Sequence, residues 1–279
     1  MKVLEVKGLC KAYPAFRLED VSFALEEGRI TGFIGRNGAG KTTTLKSLTG
    51  FVHPDAGSVR YFGMDWAGNE ERIKQQIGFV SGGVSFYPGK RLRAITSVTR
   101  SFYPAWDEAM YRACLERFQL DESKTPAQLS EGMKVKYALA LALSHRAKLL
   151  ILDEPTSGLD PVSRDELLDI LLSLQREGVT ILFSTHITSD LEKCADDILY
   201  IHQGRIGAQD DLKRFTAGYR AVSLTEGQYA QADRSLLIGA KQGKDDWRAI
   251  IRAEDEARIQ VPCGPADLET IMIHLEKEA

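Results

Sequence analysis

The chain has 279 residues, 43% hydrophobic and 27% charged, with 36 Lys and Arg against 39 Asp and Glu for a formal charge of −3. A chain of that length buries roughly 75% of its unfolded surface without disulfide staples, and so small a net charge excludes disorder and leaves no electrostatic footprint for nucleic acid, so no nucleic-acid partner is expected. The longest uncharged apolar run, residues 137–143, is far short of the about 20 residues of a membrane span; Glu5 interrupts any signal-peptide core, and Cys10, Cys114, Cys194 and Cys263 form no CxxC pair, as reduced cytosolic thiols would not.

Along the chain, residues 3–6 alternate weakly and read as a strand, and residues 18–25 alternate as a half-buried strand does. Glu26-Glu27-Gly28 is a turn, and the apolar run 29–34 suits a buried strand that ends in a glycine-rich loop. Residues 42–48 have helical spacing; 57–62 and 77–80 read as further strands. From about 86 to 146 the texture becomes aromatic and helical, with helices at 107–118 and 131–145, which marks a helical insertion. Apolar strands at 149–152 and 180–184 flank a helical pattern at 162–176, and the alternation of strand and helix predicts a largely parallel α/β sheet. Beyond Phe215, short strands at 221–224, 235–239 and 247–252 and an amphipathic helix at 267–278 suggest a small appended subdomain.

The loop Gly35-Arg36-Asn37-Gly38-Ala39-Gly40-Lys41-Thr42 satisfies G-x-x-x-x-G-K-[ST]. Glycines let successive backbone N–H groups curl around a triphosphate where a Cβ would obstruct them, and the positive end of the following helix points the same way. Lys41 offers a charge to the β/γ-phosphates, and the Thr42 hydroxyl suits Mg²⁺. Residues 149–152 then lead into Asp153-Glu154-Pro155. Asp153 at a strand tip can hold Mg²⁺, and Glu154 beside the γ-phosphate can orient and partly deprotonate a water. Together the loop and the acidic strand identify a nucleotide hydrolase.

Further motifs narrow the class. Leu129-Ser130-Glu131-Gly132-Met133 precedes a helix for which Ser130 is a good N-cap, and a helix start is an anion site. Ser157-Gly158-Leu159-Asp160 follows the acidic pair, and His186 follows the strand-like run at 180–185. In this order and spacing the chain, over about residues 3–215, resembles the nucleotide-binding subunit of an ABC transporter. The resemblance implies an α/β fold: a P-loop NTPase (RecA-like) core, an antiparallel β subdomain, a helical signature subdomain at about 86–146, and a small C-terminal α/β extension. The ATPase domain would span 1–215 and the extension 216–279. It implies ATP and Mg²⁺ as ligands, with Tyr13 stacking on adenine and residues 35–42 and Thr43 around the phosphates. Thr42 and Asp153 would hold the metal, and Lys41, Glu154 and His186 would act in catalysis. Ser130 and Gly132 of the signature would meet nucleotide held by a second ATPase subunit, in a homo- or heterodimer, and Asp160 would also contact nucleotide.

Departures from the family pattern carry their own expectations. Gly82 stands where the family has a glutamine that touches Mg²⁺, and Glu131 and Met133 replace a glycine and a glutamine of the signature. An unscreened carboxylate at 131 would repel phosphate. The stretches from Ser81 onward, 101–107, 133–136 and 266–274 resemble bacterial ATPases whose partners are ABC-2-type exporter permeases, which implies a peripheral place on the inner face of the cell membrane. Between Lys74 and Trp106 there is no acid, and Lys90, Arg91, Arg93 and Arg100 form a basic window suited to an acidic permease loop or anionic headgroups. Leu224-Thr225-Glu226-Gly227-Gln228 also resembles the signature, but the sequence offers no helical pattern after it. Lone His53, His145, His202 and His274 read as structural. Two alternatives use the same motifs: a soluble ABC-type ATPase, and a nucleotide sensor of low turnover.

Overall fold

The computed structural model describes residues 1–81 and 86–277; Gly82, and with it the expectation attached to that position, lies outside them. At the centre is a six-stranded sheet in the order β10-β9-β3-β8-β7-β6. Its strands are β3 (Ile30–Ile34), β6 (Ile77–Ser81), β7 (Leu149–Asp153), β8 (Thr180–Thr185), β9 (Asp197–His202) and β10 (Arg205–Asp211). All pair in parallel except the edge strand β10. Strands β3, β7 and β8 are buried along their whole length, as parallel strands covered on both faces must be. Their side chains divide by the two-residue period: Leu150, Leu152, Ile181 and Phe183 join one core, and Leu149, Ile151 and Leu182 the other.

The second core is closed by an antiparallel sheet in the order β2-β1-β4-β5 and by α1 (Lys41–Leu48). These strands are β1 (Lys2–Tyr13), β2 (Phe16–Glu26), β4 (Ala56–Tyr61) and β5 (Met64–Asp65), and α2 (Glu70–Lys74) follows them. The strand expected at residues 3–6 thus runs to Tyr13. Register shifts at Val6/Leu9 and Leu9/Lys11 break its alternation, which hid the second half from a period-two reading.

The first core is covered by the helical insertion α3 (Leu92–Ser101), α4 (Glu108–Arg117), a 3₁₀ turn at Pro126–Gln128 and α5 (Glu131–Ser144), and by α6 (Pro161–Arg176) and α7 (Thr188–Cys194). Residues Tyr137 to Ser144 of α5 are all buried, so its C-terminal half lies within the protein. Its small residues permit close approach to the sheet: a Cβ on Gly78 of β6 would fall 2.6 Å from the Ala142 Cβ. The insertion is pinned by the Thr96 hydroxyl, which lies 2.7 Å from the Tyr111 hydroxyl and 2.8 Å from that of Tyr137. Tyr137 also donates to the Leu92 carbonyl at 3.0 Å.

After α8 (Leu212–Ala217) comes a third sheet, ordered β12-β13-β11-β14. It comprises β11 (Tyr219–Leu224), β12 (Ile238–Gln242), β13 (Trp247–Arg252) and β14 (Cys263–Pro265). Two expectations here need correction. The strand expected at 235–239 is a 3₁₀ turn at Arg234–Leu236 followed by β12, because Asp233 caps the Ser235 N–H and turns the chain. The second signature-like segment does open a helix, α9 (Glu226–Gln231), through a Thr225–Gln228 capping box; six residues are too few for periodicity to reveal it. The chain closes with α10 (Leu268–Leu275), whose Leu268, Ile271 and Met272 share the first core with Ile198 and Tyr200 of β9. Among the described residues no helix is long and apolar enough to cross a membrane.

Replacing Thr96 by Val keeps the volume and removes the hydroxyl between two buried phenols. Because Tyr137 keeps Leu92 and Tyr111 keeps Glu122, the expected loss is about 1–2 kcal/mol, read as a lower urea midpoint with unchanged m-value.

Candidate functional site

The phosphate loop leaves β3 and enters α1 with no side-chain cap on the helix among the described residues. Its N-cap is Gly40, at φ 115°. The first-turn N–H groups therefore face outward, and the positive end of the helix is open to a ligand. Glycine is required at the two ends of the loop for different neighbours. A Cβ on Gly35 would fall 2.3 Å from the Ile201 carbonyl, and one on Gly40 would fall 2.6 Å from Leu18. Gly38, also at positive φ, borders open space. Lys41 is only 6% exposed, which for a lysine demands partners. Its ammonium donates to the Gly35 carbonyl at 2.7 Å, approaches Arg36 O at 3.4 Å, and lies 3.5 Å from the Glu154 carboxylate.

The acidic pair sits at the end of β7. Asp153 pairs in register with Ser184 of β8, whose hydroxyl donates to Asp153 Oδ1 at 2.7 Å. The same hydroxyl accepts from the Glu154 N–H at 3.0 Å. Thr42 Oγ1 donates to Asp153 Oδ1 at 3.3 Å, so two oxygen donors from separate elements stand side by side. An oxygen-only set of this kind fits a hard divalent cation such as Mg²⁺. Glu154 has φ 51°, a left-handed conformation costing about 1–2 kcal/mol for a residue with a Cβ. Its carboxylate stands 2.7 Å from His186 Nδ1 on one oxygen and faces Lys41 with the other. Strain at such a residue is tolerated where the surroundings over-determine it, here through Ser184, Lys41 and His186.

Lys41, Thr42, Glu154 and His186 share a cavity of about 440 Å³ with Arg36, Asn37, Gly38, Gly40, Thr43, Ser157 and Phe16, while Gly35, Ala39 and Asp153 lie outside its lining. Of the residues expected from sequence, Tyr13 is not in this lining; it is 42% exposed near the end of the β1–β2 hairpin, and Phe16 on the opposite strand lines the cavity instead. Ser130, Gly132 and Asp160 are not in the lining either. Ser130 caps α5 by accepting from Met133 N at 3.2 Å. Asp160 caps α6 by accepting from Val162 and Ser163, and the Ser163 side chain and N–H hold its carboxyl below the usual range. Gly132 is buried, with Ser163 3.5 Å from where its Cβ would be, so the starts of α5 and α6 lie together. There the carboxylate of Glu131 is screened by Lys134 at 2.6 Å.

Sequence reasoning missed Ser184 and Phe16, and Ser157, quoted within its loop motif, was given no place at the site. Ser184 was detectable as a small polar residue near the end of an apolar run, but its partner lies on another strand. Of the other histidines, His145 stacks on Tyr103 with ring centroids 4.0 Å apart, and burial pushes its pKa down. His274 Nδ1 lies 2.8 Å from the Gly239 carbonyl, His202 pairs with Glu276, and His53 is exposed.

The family described as ABC transporter matches residues 18–157. The bacitracin transport ATP-binding protein of Bacillus licheniformis is 32% identical over 231 residues, covering 80% of this chain and 76% of that protein. The lantibiotic transport ATP-binding protein of Streptococcus pyogenes is 35% identical over 211 residues, covering 73% and 89%. A solved ATP-binding subunit of an ABC transporter superposes with TM-score 0.69 at 33% identity, covering 76% of this chain and 91% of that one. A dimeric cassette bound to ADP and Pi shares the fold, with TM-score 0.66 at 22% identity over 75% of this chain and 98% of that one.

Ser184→Ala removes one hydroxyl that serves two neighbours. The expected destabilisation is about 1–3 kcal/mol, measured by urea unfolding, since the buried Asp153 carboxylate loses the shorter of its two hydroxyl donors and the Glu154 N–H loses an acceptor.

Proposed function

The chain belongs to the ABC transporter family as an ATP-binding, ATP-hydrolysing subunit, and on that premise we propose that its phosphate loop holds the triphosphate and that a second subunit completes the site. The observation that carries this reading is the convergence of Lys41, Thr42, Glu154 and His186 on one cavity. A triphosphate there offers Lys41 a stronger partner than the Gly35 carbonyl and the Glu154 carboxylate it now touches. Release of Lys41 leaves Glu154 to accept a proton from, and orient, the attacking water, while His186 steadies Glu154 from the other side. Thr42 and Asp153 would hold Mg²⁺, which when bound supplies neutralisation of phosphate charge. Either Tyr13 or the neighbouring ring of Phe16 can stack on the base.

Ser130, Gly132 and Asp160 lie outside this chain's own cavity, which favours their use on the nucleotide of a partner subunit. The start of α5, with the remaining N–H groups of its first turn and the exposed Ser130, would take the γ-phosphate there. We assign the second half of the assembly to a separate membrane permease of the ABC-2 exporter type, with the subunit held at the inner face of the membrane and residues 216–279 as an appended unit. The basic window supports a docking role: Lys90, Arg91 and Arg93 are exposed at the start of α3, while Arg100 is paired with Glu108.

Lys41→Ala is expected to abolish ATP binding in a calorimetric titration. Glu154→Gln is expected to keep binding, to lower turnover by about 100-fold or more, and to accumulate as a dimer in ATP by light scattering. A monomer in ATP would remove the shared-site reading. For the docking face, Arg91→Glu with Arg93→Glu is expected to weaken co-purification of the permease while leaving ATP binding in place; undiminished recovery would remove that role.

A further inference from the structure

The end of α10 carries a carboxylate where a helix disfavours one. Glu276 is the C-cap, at the negative pole of the helix, and its side chain is only 10% exposed. Three groups converge on it, one by a hydrogen bond and two by charge. Two come from β9, the Tyr200 hydroxyl at 3.0 Å and His202 Nδ1 at 3.1 Å; the third is Arg36 Nε of the phosphate loop at 3.9 Å. Between α10 and the loop lies a second cavity, of about 540 Å³, bordered by Arg36, Asn37, His186, Glu276 and Lys277. Arg36, Asn37 and His186 border both this space and the phosphate-loop cavity. The Arg36 side chain is 72% exposed and stands between two anionic destinations, a fixed carboxylate and an incoming triphosphate.

We infer that Glu276 is a positioning residue of the nucleotide site, which holds the Arg36 guanidinium on the α10 side of the phosphate loop and thereby lowers the affinity for ATP. The inference rests on the reading that the phosphate-loop cavity takes the triphosphate. A guanidinium turned toward Glu276 is withheld from phosphate. Tyr200 and His202 keep the carboxylate in place despite the unfavourable helix pole, and this fixity distinguishes it from an ordinary surface acid.

The test uses the full chain. Glu276→Gln removes the charge and keeps one oxygen acceptor, enough for the Tyr200 hydroxyl, while its amide NH2 takes the place of the oxygen beside His202. ATP is expected to bind about three- to tenfold more tightly at low salt, with a smaller gain at high salt, and the change is expected in KM rather than kcat. Adding Arg36→Ala to Glu276→Gln should remove most of the gain, and Glu276→Asp should keep the affinity of the native chain. Unchanged or weaker binding by Glu276→Gln overturns the inference. Should that variant fail to fold, Arg36→Ala alone decides. A loss of affinity below about threefold agrees with a withheld guanidinium, and a larger loss overturns it. Lys41→Ala separates the two levels: if it still binds ATP the reading of the cavity fails, whereas lost binding there with no gain in Glu276→Gln removes the role of Glu276 alone.

Discussion

The whole site depends on three buried parallel strands ending at one edge. Ile34 of β3 pairs with Thr185 of β8, and Asp153 of β7 pairs with Ser184 one step earlier on β8. The three loops that follow, each beginning within a residue or two of this line, have no choice but to share a crevice. Burial of these strands on both faces fixes that register, because a slip of one residue would exchange the two cores. The chemistry at the edge is therefore set by packing far below it.

Polar groups at that edge are arranged against their local preferences. Lys41 is buried, Glu154 is left-handed, and the first turn of α1 lacks a side-chain cap. Each would be a defect in an isolated segment. Together they satisfy one another in part, Lys41 by carbonyls of its own loop and Glu154 by the Ser184 hydroxyl and His186. Such a set of mutually held, individually costly groups is what an anion-binding site looks like from the side of the protein.

How much was legible in the sequence follows from how local each signal is. The phosphate loop and the acidic pair are contiguous runs whose residue types are dictated by triphosphate chemistry, so Gly35 to Thr42 and Asp153-Glu154 could be read directly. The central strands were legible because they are continuously apolar. The outer half of β1 was hidden by its bulges, and β10 alternates only weakly; β9 carries an apolar run, Ile198 to Ile201, as clear as those of the other central strands, and was passed over. Ser184 and Phe16 could not be found by motif, since each acts through a neighbour distant in sequence. Glu276 is the extreme case: it sits 240 residues from Arg36, and the packing of α10 against α7, β12 and β13 brings the two together.

The contact between Gly78 and Ala142 has a mechanical side. Helix α5 carries Ser130 at its exposed tip and, 12 residues on, is seated so closely on β6 that not even a methyl group fits beneath it. That end behaves as a heel, and the exposed start of the helix, about 18 Å away, behaves as the toe of a lever. A rocking of about 5° about the heel carries the toe through about 1.6 Å, roughly half a hydrogen-bond length. A substitution that thickens the heel would thus misplace the toe without touching it.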